Sequence, residues 1–170
     1  MGKETQMNKL HYTFENLQND LHNIIQQMVV DGYKRDAIIG QGRGGYTMGV
    51  MLSHYFDVPF YGFNWQTRDS DDQDIEGLAR LLSKYVMLDI DCKDVLLVDD
   101  INDTGKTLSE IKLQAEMALS LSSVRKDRNI KVATLFNKEA SQFKDVNYFA
   151  QSLTLYNDPW IVFPHEEWWK

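Results

Sequence analysis

One uninterrupted segment, residues 95–108, constrains the fold more than any other part of the chain. It begins with four apolar residues, continues with Asp99 and Asp100, and soon reaches Asp-Thr-Gly-Lys-Thr-Leu. Four apolar residues in a row, two of them Val, predict a strand that is buried on both faces. Apolar residues then recur at helical spacing from Leu108 onward. The segment therefore predicts a strand, a loop and a helix, which places backbone N–H groups at the carboxyl edge of a sheet.

The polar side chains of this segment indicate a sugar phosphate as its ligand. The hydroxyls of Thr104 and Thr107, with the N–H groups around Gly105, can surround a monophosphate. Asp99 and Asp100 can accept hydrogen bonds from sugar hydroxyls or hold Mg²⁺ through water. The ligand implied is a ribose 5-phosphate with free hydroxyls. The simpler alternative is an acidic strand-to-helix turn that binds no ligand.

The same segment resembles the 5-phosphoribosyl 1-pyrophosphate (PRPP) motif of the type I phosphoribosyltransferases. It is not a Walker loop, because the glycine-rich run before Gly-Lys-Thr is absent. The resemblance implies an α/β fold with a mainly parallel central sheet, flanking helices and a small carboxyl-terminal hood. It implies Asp103 as the catalytic base, and Asp99 and Asp100 as ligands of the ribose and of Mg²⁺. The residues implied for the 5′-phosphate are Thr104, Gly105, Lys106 (through its backbone) and Thr107.

A glycine-rich stretch, residues 40–45, is the second informative site. It follows a predicted strand, 37–40, and precedes a helix predicted from about Tyr46 to Tyr55, with Met48, Met51, Leu52 and Tyr55 as candidate core residues. Glycines allow exposed amides, and an arginine adds a planar donor fork for phosphate oxygens. An ordinary turn is the alternative. The spacing also resembles a dinucleotide-binding fingerprint, but the acidic residue expected at the end of the next strand is missing. The stretch is similar to the family's pyrophosphate loop, in which the peptide before the Arg is often cis, so Gly42–Arg43 is the bond to inspect. The resemblance implies four substrate-binding residues: Gly42, Arg43, Gly44 and Gly45.

Two sites in the carboxyl-terminal third indicate a planar base as the acceptor. A strand predicted at 130–136 leads to Lys138, which places this lysine on the ligand side of the sheet unless it is a surface lysine. Trp160 is suited to stacking on a base, with the backbone of Ile161 at the base edge, unless Trp160 belongs to a hydrophobic cap. The order Trp-Ile-Val-Phe-Pro and an acid is similar to the tail of xanthine-guanine and hypoxanthine-guanine phosphoribosyltransferases. There a lysine placed like Lys138 holds the purine O6, and Trp is common where His165 stands here.

Periodicity predicts the remaining elements. A helix from Phe14 to about Gly32 buries one apolar face: Phe14, Leu17, Leu21, Ile24, Ile25 and Met28. Strands are predicted at 59–65 and 85–88, and an exposed basic turn at 125–129. The stretch 66–79, which is most polar over 66–77, is predicted to be a surface loop. The resemblance implies instead a lid that closes over PRPP.

Length and composition predict one domain, residues 1–170, with a core at about 14–150 and a hood formed by 151–170 with the amino-terminal segment. The chain is 43% hydrophobic and 25% charged, which is typical of globular proteins. The single Cys92 and the lack of a signal-peptide core predict a cytoplasmic protein. No apolar run reaches the roughly 18 residues of a membrane span. The net charge of −7 argues against nucleic acid as a partner.

Taken with these features, the resemblance implies an Mg²⁺-dependent purine phosphoribosyltransferase, a glycosyltransferase that converts PRPP and a 6-oxopurine into a nucleoside 5′-monophosphate and pyrophosphate. The resemblance implies a homodimer or homotetramer, with the helix at 46–56 as a candidate contact. Two alternatives stay open. One is a regulator that binds PRPP or a nucleotide without turnover, and the other is a transferase for a pyrimidine or another acceptor.

Overall fold

The computed structural model describes residues 8–64, 92–120, 127, 129–166 and 168–169. These residues form β1 (Lys9–His11), α1 (Phe14–Val30), β2 (Ala37–Gln41), α2 (Gly42–Phe56), β3 (Phe60–Phe63), β4 (Asp94–Asn102), α3 (Lys106–Ser120), β5 (Asn129–Lys138), β6 (Tyr148–Leu153) and β7 (Trp160–Val162).

The central sheet is parallel and has the strand order β3-β2-β4-β5-β6. Helices cover both of its faces. Leu96 faces the core that α1 and α2 form, whereas Leu97 packs with Leu108 and Ile111 of α3. Burial on both faces explains the unbroken apolar run of β4. The predicted α/β class with a parallel sheet flanked by helices is confirmed.

A second, two-stranded sheet joins β1 and β7 in parallel, with Leu10 opposite Ile161. The rings of Tyr12 and Phe163 pack edge-on against Phe136 of β5, with centroids 5.1 and 5.9 Å away. Edge-to-face contacts of this kind favour one fixed arrangement of the rings. The small sheet is therefore held against the central sheet.

Helix α1 matches its sequence pattern closely. Thr13 and Asn16 form a capping box at its start, and the helix ends just before Gly32, whose φ is 66°. Five of the six residues predicted to be buried are buried: Leu17, Leu21, Ile24, Ile25 and Met28. The prediction is wrong for Phe14, which is 61% exposed because it occupies the first helical position, before the buried stripe begins.

Strand β4 is longer than its apolar run indicates. It continues to Asn102 because β5 runs on beside it, with Ile101 opposite Phe136 and Asn102 opposite Asn137. Asp99 and Asp100 therefore lie within the strand and not after it. β5 likewise extends to Lys138.

Helix α2 begins at Gly42, four residues before the predicted start. Met48 and Leu52 are buried as expected, whereas Met51 and Tyr55 are 38% and 58% exposed, so their predicted core role is wrong. The helix packs on the sheet through the narrower stripe that Gly45, Met48, Gly49 and Leu52 form.

The stretch 66–79, interpreted as a surface loop or a lid, the predicted strand at 85–88 and most of the basic turn at 125–129 lie outside the described residues. Within the part of the chain that the structure describes, no helix combines the length and apolarity that crossing a membrane requires.

Candidate active site

The carboxyl ends of β2, β4 and β5 open into a pocket of about 890 Å³. Because these strands are parallel, the segments that follow them meet at one edge of the sheet. Nearly all predicted site residues line this pocket: Gly42, Arg43, Gly44, Asp99, Asp100, Asp103, Thr104, Gly105, Lys106, Thr107, Lys138, Trp160 and Ile161. Gly45 does not. It is buried, and an added Cβ would lie 2.6 Å from the carbonyl oxygen of Val98, so this glycine permits close packing of α2 on β4.

The carboxylates of Asp99 and Asp100 lie side by side in the wall of the pocket. Asp99 is only 5% exposed. Its Oδ1 accepts the Asp100 N–H at 2.9 Å, and its Oδ2 accepts the side-chain amide of Gln41. Burial, together with the charge of Asp100, raises the pKa of Asp99 well above its usual range. Burial raises the pKa of Asp100 to about 6; hydrogen bonding to Asp99 opposes this, and the charge of Glu166 adds to it. A cation or hydroxyl donors at this place would stabilise both charged forms.

The start of α2 forms one wall of the pocket. Gly42, Arg43 and Gly44 lie in the first helical turn, and the Gly42–Arg43 peptide is trans. Gly42 has a φ of 55°, which turns the chain from β2 directly into the helix. Gly44 contacts Asp100 so closely that an added Cβ would overlap the carboxylate. The exposed Arg43 and the helix N-terminus make this wall suitable for an anion.

Residues 103–105 connect β4 to α3, and together with the first two helical residues, 106 and 107, they form the opposite wall. Gly105 has a φ of 85°, and its carbonyl accepts the Ser109 N–H at 2.9 Å, which begins the helix. The N–H of Lys106 approaches Thr104 Oγ1 at 3.4 Å. Lys106 itself is exposed. The loop therefore presents backbone N–H groups at a helix start, which is an anion-binding arrangement.

A buried polar network that the sequence analysis missed supports this loop from behind. Asn102 is 1% exposed and donates from Nδ2 to Asn137 Oδ1 at 2.8 Å and to the Phe143 carbonyl at 2.9 Å. Its Oδ1 accepts the Ser141 hydroxyl at 2.8 Å. The sequence signal for this close packing was the glycine at position 105. The structure gives its reason, since an added Cβ there would lie 2.6 Å from Ser141 Oγ. The network fixes the end of β4 against the segment that follows β5.

Lys138 connects three elements at the far end of the pocket. It ends β5, and its Nζ lies 2.8 Å from Asp103 Oδ1 and 2.7 Å from Asp158 Oδ1. Burial lowers the pKa of Lys138, but hydrogen bonds to both carboxylates and their charges outweigh this effect, so the pKa is raised overall. The ammonium is therefore a permanent hydrogen-bond donor at neutral pH.

Strand β7 covers the pocket beside Lys138. Trp160 is 47% exposed, and its N–H donates to the Asn8 carbonyl at 2.8 Å, while the Tyr12 N–H donates to the Val162 carbonyl at 2.9 Å. Because the peptide groups of successive strand residues point to opposite sides, those of Ile161 point away from β1. Ile161 also lines the pocket.

Several further wall residues were not predicted: Gln41, Asn102, Phe163, His165, Glu166 and Trp169. The His165 ring stacks on Phe163 with centroids 5.6 Å apart. Burial lowers the pKa of His165, the charge of Glu166 opposes this, and that of Arg43 adds to it. A neutral imidazole and a carboxylate therefore complete the pocket beneath the carboxyl-terminal tail.

This fold and site define a class of protein: a parallel α/β protein with an anion loop and paired carboxylates at the carboxyl edge of its sheet. The family model described as "Phosphoribosyl transferase domain" matches residues 13–169. The chain therefore belongs to the type I phosphoribosyltransferase family.

Solved structures of similar fold agree with this assignment. A purine phosphoribosyltransferase from Pyrococcus horikoshii is 25% identical with a TM-score of 0.68, and the match covers 95% of this chain and 96% of the other. A xanthine-guanine-hypoxanthine phosphoribosyltransferase from Helicobacter pylori is 22% identical with a TM-score of 0.67, covering 94% of each chain. A Neisseria gonorrhoeae protein crystallised with ppGpp is 22% identical with a TM-score of 0.68, covering 96% and 92%. No curated protein matches the chain.

Proposed function

We propose that this protein transfers the 5-phosphoribosyl group of PRPP to a 6-oxopurine and releases pyrophosphate. The observation that carries the proposal is the Lys138 ammonium at the end of β5, 2.8 Å from Asp103 Oδ1. A charged donor beside a carboxylate suits a base with a carbonyl oxygen next to an N–H group. An exocyclic amino group in place of that carbonyl would meet a second donor, so adenine is disfavoured.

The sugar phosphate fits between the two anion-binding walls. The N–H groups of residues 104–107 would hold the 5′-phosphate, and Asp99 with Asp100 would accept hydrogen bonds from the ribose hydroxyls. Arg43 and the first turn of α2 would then face the pyrophosphate. Fixing the sugar at both ends allows its C1′ to move from pyrophosphate toward the base without losing alignment.

Mg²⁺ is the cofactor that the proposal includes. Asp99 and Asp100 fit it because both line the pocket. Burial disfavours their charged forms, and a bound cation would offset that cost. Among the described residues, no group of three or more His, Cys, Asp or Glu side chains could hold a metal alone. Mg²⁺ typically takes one or two carboxylates and completes its shell with substrate oxygens and water. When bound, it would neutralise charge that develops on the pyrophosphate.

In the proposed reaction, the bond from C1′ to the pyrophosphate oxygen breaks and a bond from C1′ to purine N9 forms. The electron pair of the broken bond leaves with pyrophosphate, which Arg43 and the α2 amides stabilise. Asp103 accepts the proton from purine N7 as general base. Trp160 would stack on the base, with the peptide groups of Ile161 at its edge.

The test is a panel of guanine, hypoxanthine, xanthine, adenine, orotate and uracil, each incubated with the protein, PRPP and Mg²⁺. We expect pyrophosphate release with at least one 6-oxopurine and at least 100-fold less with adenine, since unmatched buried donors cost about 10⁴–10⁵ in the strongest cases. Turnover restricted to adenine or a pyrimidine would refute the acceptor assignment.

Binding of PRPP or a nucleotide without turnover is the second candidate. The gonococcal structure of similar fold, with ppGpp bound, favours it. Tight calorimetric binding of PRPP or a guanine nucleotide, with no pyrophosphate released for any base in the panel, would establish this function instead.

A further inference from the structure

Asp158 is the second carboxylate on Lys138, and it does not line the pocket itself. The Lys138 ammonium lies 2.7 Å from Asp158 Oδ1 and 2.9 Å from Asp158 Oδ2. The Asp158 side chain is 43% exposed, whereas that of Lys138 is only 17% exposed. Any effect of Asp158 on a bound acceptor must therefore pass through Lys138.

The backbone around Asp158 is well fixed. The Asn157 N–H donates to the Thr154 carbonyl at 3.1 Å and closes a turn immediately before it, and β7 begins two residues after it. Asp158 thus approaches Lys138 from the segment between β6 and β7, while Asp103 approaches from the loop after β4. One ammonium has three protons. One can be shared by the two oxygens of Asp158 and one can point to Asp103, which leaves the third for an acceptor carbonyl.

We propose that Asp158 is a positioning residue. It keeps the Lys138 ammonium in the part of the pocket where the purine would bind, while Asp103 contacts that purine. This inference rests on the proposed function. As Asp103 takes the acceptor's proton it becomes neutral, and its ion pair with Lys138 loses the Coulomb attraction. Asp158 then remains as the charged partner that holds Lys138 against the acceptor oxygen. Without it, Lys138 would pair only with Asp103 and move away from that oxygen.

The kinetic test compares Asp158→Asn with Asp145→Asn. Asp145 is a matched control because it pairs with Lys112, which also contacts a second carboxylate, Glu116, on α3. In Asp158→Asn we expect the KM of the purine to rise about fivefold, as for loss of a half-exposed charged contact, while the KM of PRPP changes by less than about twofold. Asp145→Asn should leave both values unchanged. An unchanged purine KM in Asp158→Asn, or an equal rise in both KM values, would overturn the proposal.

A second measurement is independent of turnover. Brief acetylation with a limiting amount of acetic anhydride, followed by peptide mass spectrometry, reports how readily each lysine loses its proton. Removing one carboxylate from Lys138 should raise its labelling about threefold in Asp158→Asn, with Lys112 unchanged; Asp145→Asn should show the reverse. Equal labelling of Lys138 in wild type and Asp158→Asn would refute the positioning role.

The two measurements separate failure of this inference from failure of the proposed function. If wild type uses no 6-oxopurine, the acceptor assignment is wrong, and the labelling result alone decides whether Asp158 controls Lys138. If wild type uses a 6-oxopurine and Asp158→Asn matches it in purine KM, the acceptor assignment stands and the role of Asp158 is rejected.

Discussion

Gly105→Ala tests whether the loop that joins β4 to α3 is held rigidly against the segment behind it. Gly105 has a φ of 85°, and its added Cβ would lie 2.6 Å from Ser141 Oγ and 2.7 Å from Phe143 Cβ. An L side chain in this backbone region costs about 1–2 kcal/mol. Overpacking in a buried site that cannot yield costs about 1–3 kcal/mol more. We therefore expect the free energy of unfolding to fall by about 2–5 kcal/mol.

Gly32→Ala is the matched control, because Gly32 has a similar φ of 66° but no atom within 4 Å of an added Cβ. It should lose only the backbone cost of about 1–2 kcal/mol. Equilibrium urea unfolding, followed by tryptophan fluorescence, measures both. The folded Gly105→Ala protein should also show a raised KM for PRPP, whereas Gly32→Ala should not. Equal losses of stability in the two variants would refute the packing argument.

Three further predictions concern single carboxylates. Asp103→Asn should lower kcat by about 10²-fold or more in initial-rate assays, as loss of a general base does, and unchanged turnover with all three 6-oxopurines would reject this role. The pKa of Asp100 is about 6 in the folded protein against 3.8 as its ordinary value, so the folded state binds the extra proton. The contribution of Asp100 to stability without Mg²⁺ should therefore fall by up to about 3 kcal/mol as pH rises from 4 to 7, and urea unfolding of Asp100→Asn should lack this contribution while it keeps that of Asp99, whose pKa burial also raises. Asp57 has a φ of 53° at the end of α2, so Asp57→Gly should raise the unfolding free energy by about 0.5–1 kcal/mol, and a lower urea midpoint would contradict this.

The parts of the fold that repeat a simple pattern could be predicted from the sequence. The apolar run of β4 and the stripe of α1 are buried as expected. Element boundaries were less predictable, because they depend on neighbours. β4 extends to Asn102 only because β5 runs beside it, and α2 starts at Gly42 because one positive φ turns the chain directly into a helix.

The same distinction applies to the candidate site. Thr104 was predicted as a site residue from local spacing after a strand, and Asp103 from the resemblance that the same motif carries. Gln41 and Asp158 were not predicted, because their partners Asp99 and Lys138 are distant in sequence and only sheet register and the turn before β7 bring them together. Gly45, which was predicted to contact the ligand, does not line the pocket, since the helix rotates it toward Val98.

The most direct test of the central claim is a crystal structure of the protein with guanosine 5′-monophosphate. We predict the phosphate within hydrogen-bond distance of the N–H groups of residues 104–107, the ribose hydroxyls at Asp99 and Asp100, and the purine beside Asp103. A phosphate bound elsewhere, with these three aspartates directed into bulk solvent, would contradict it.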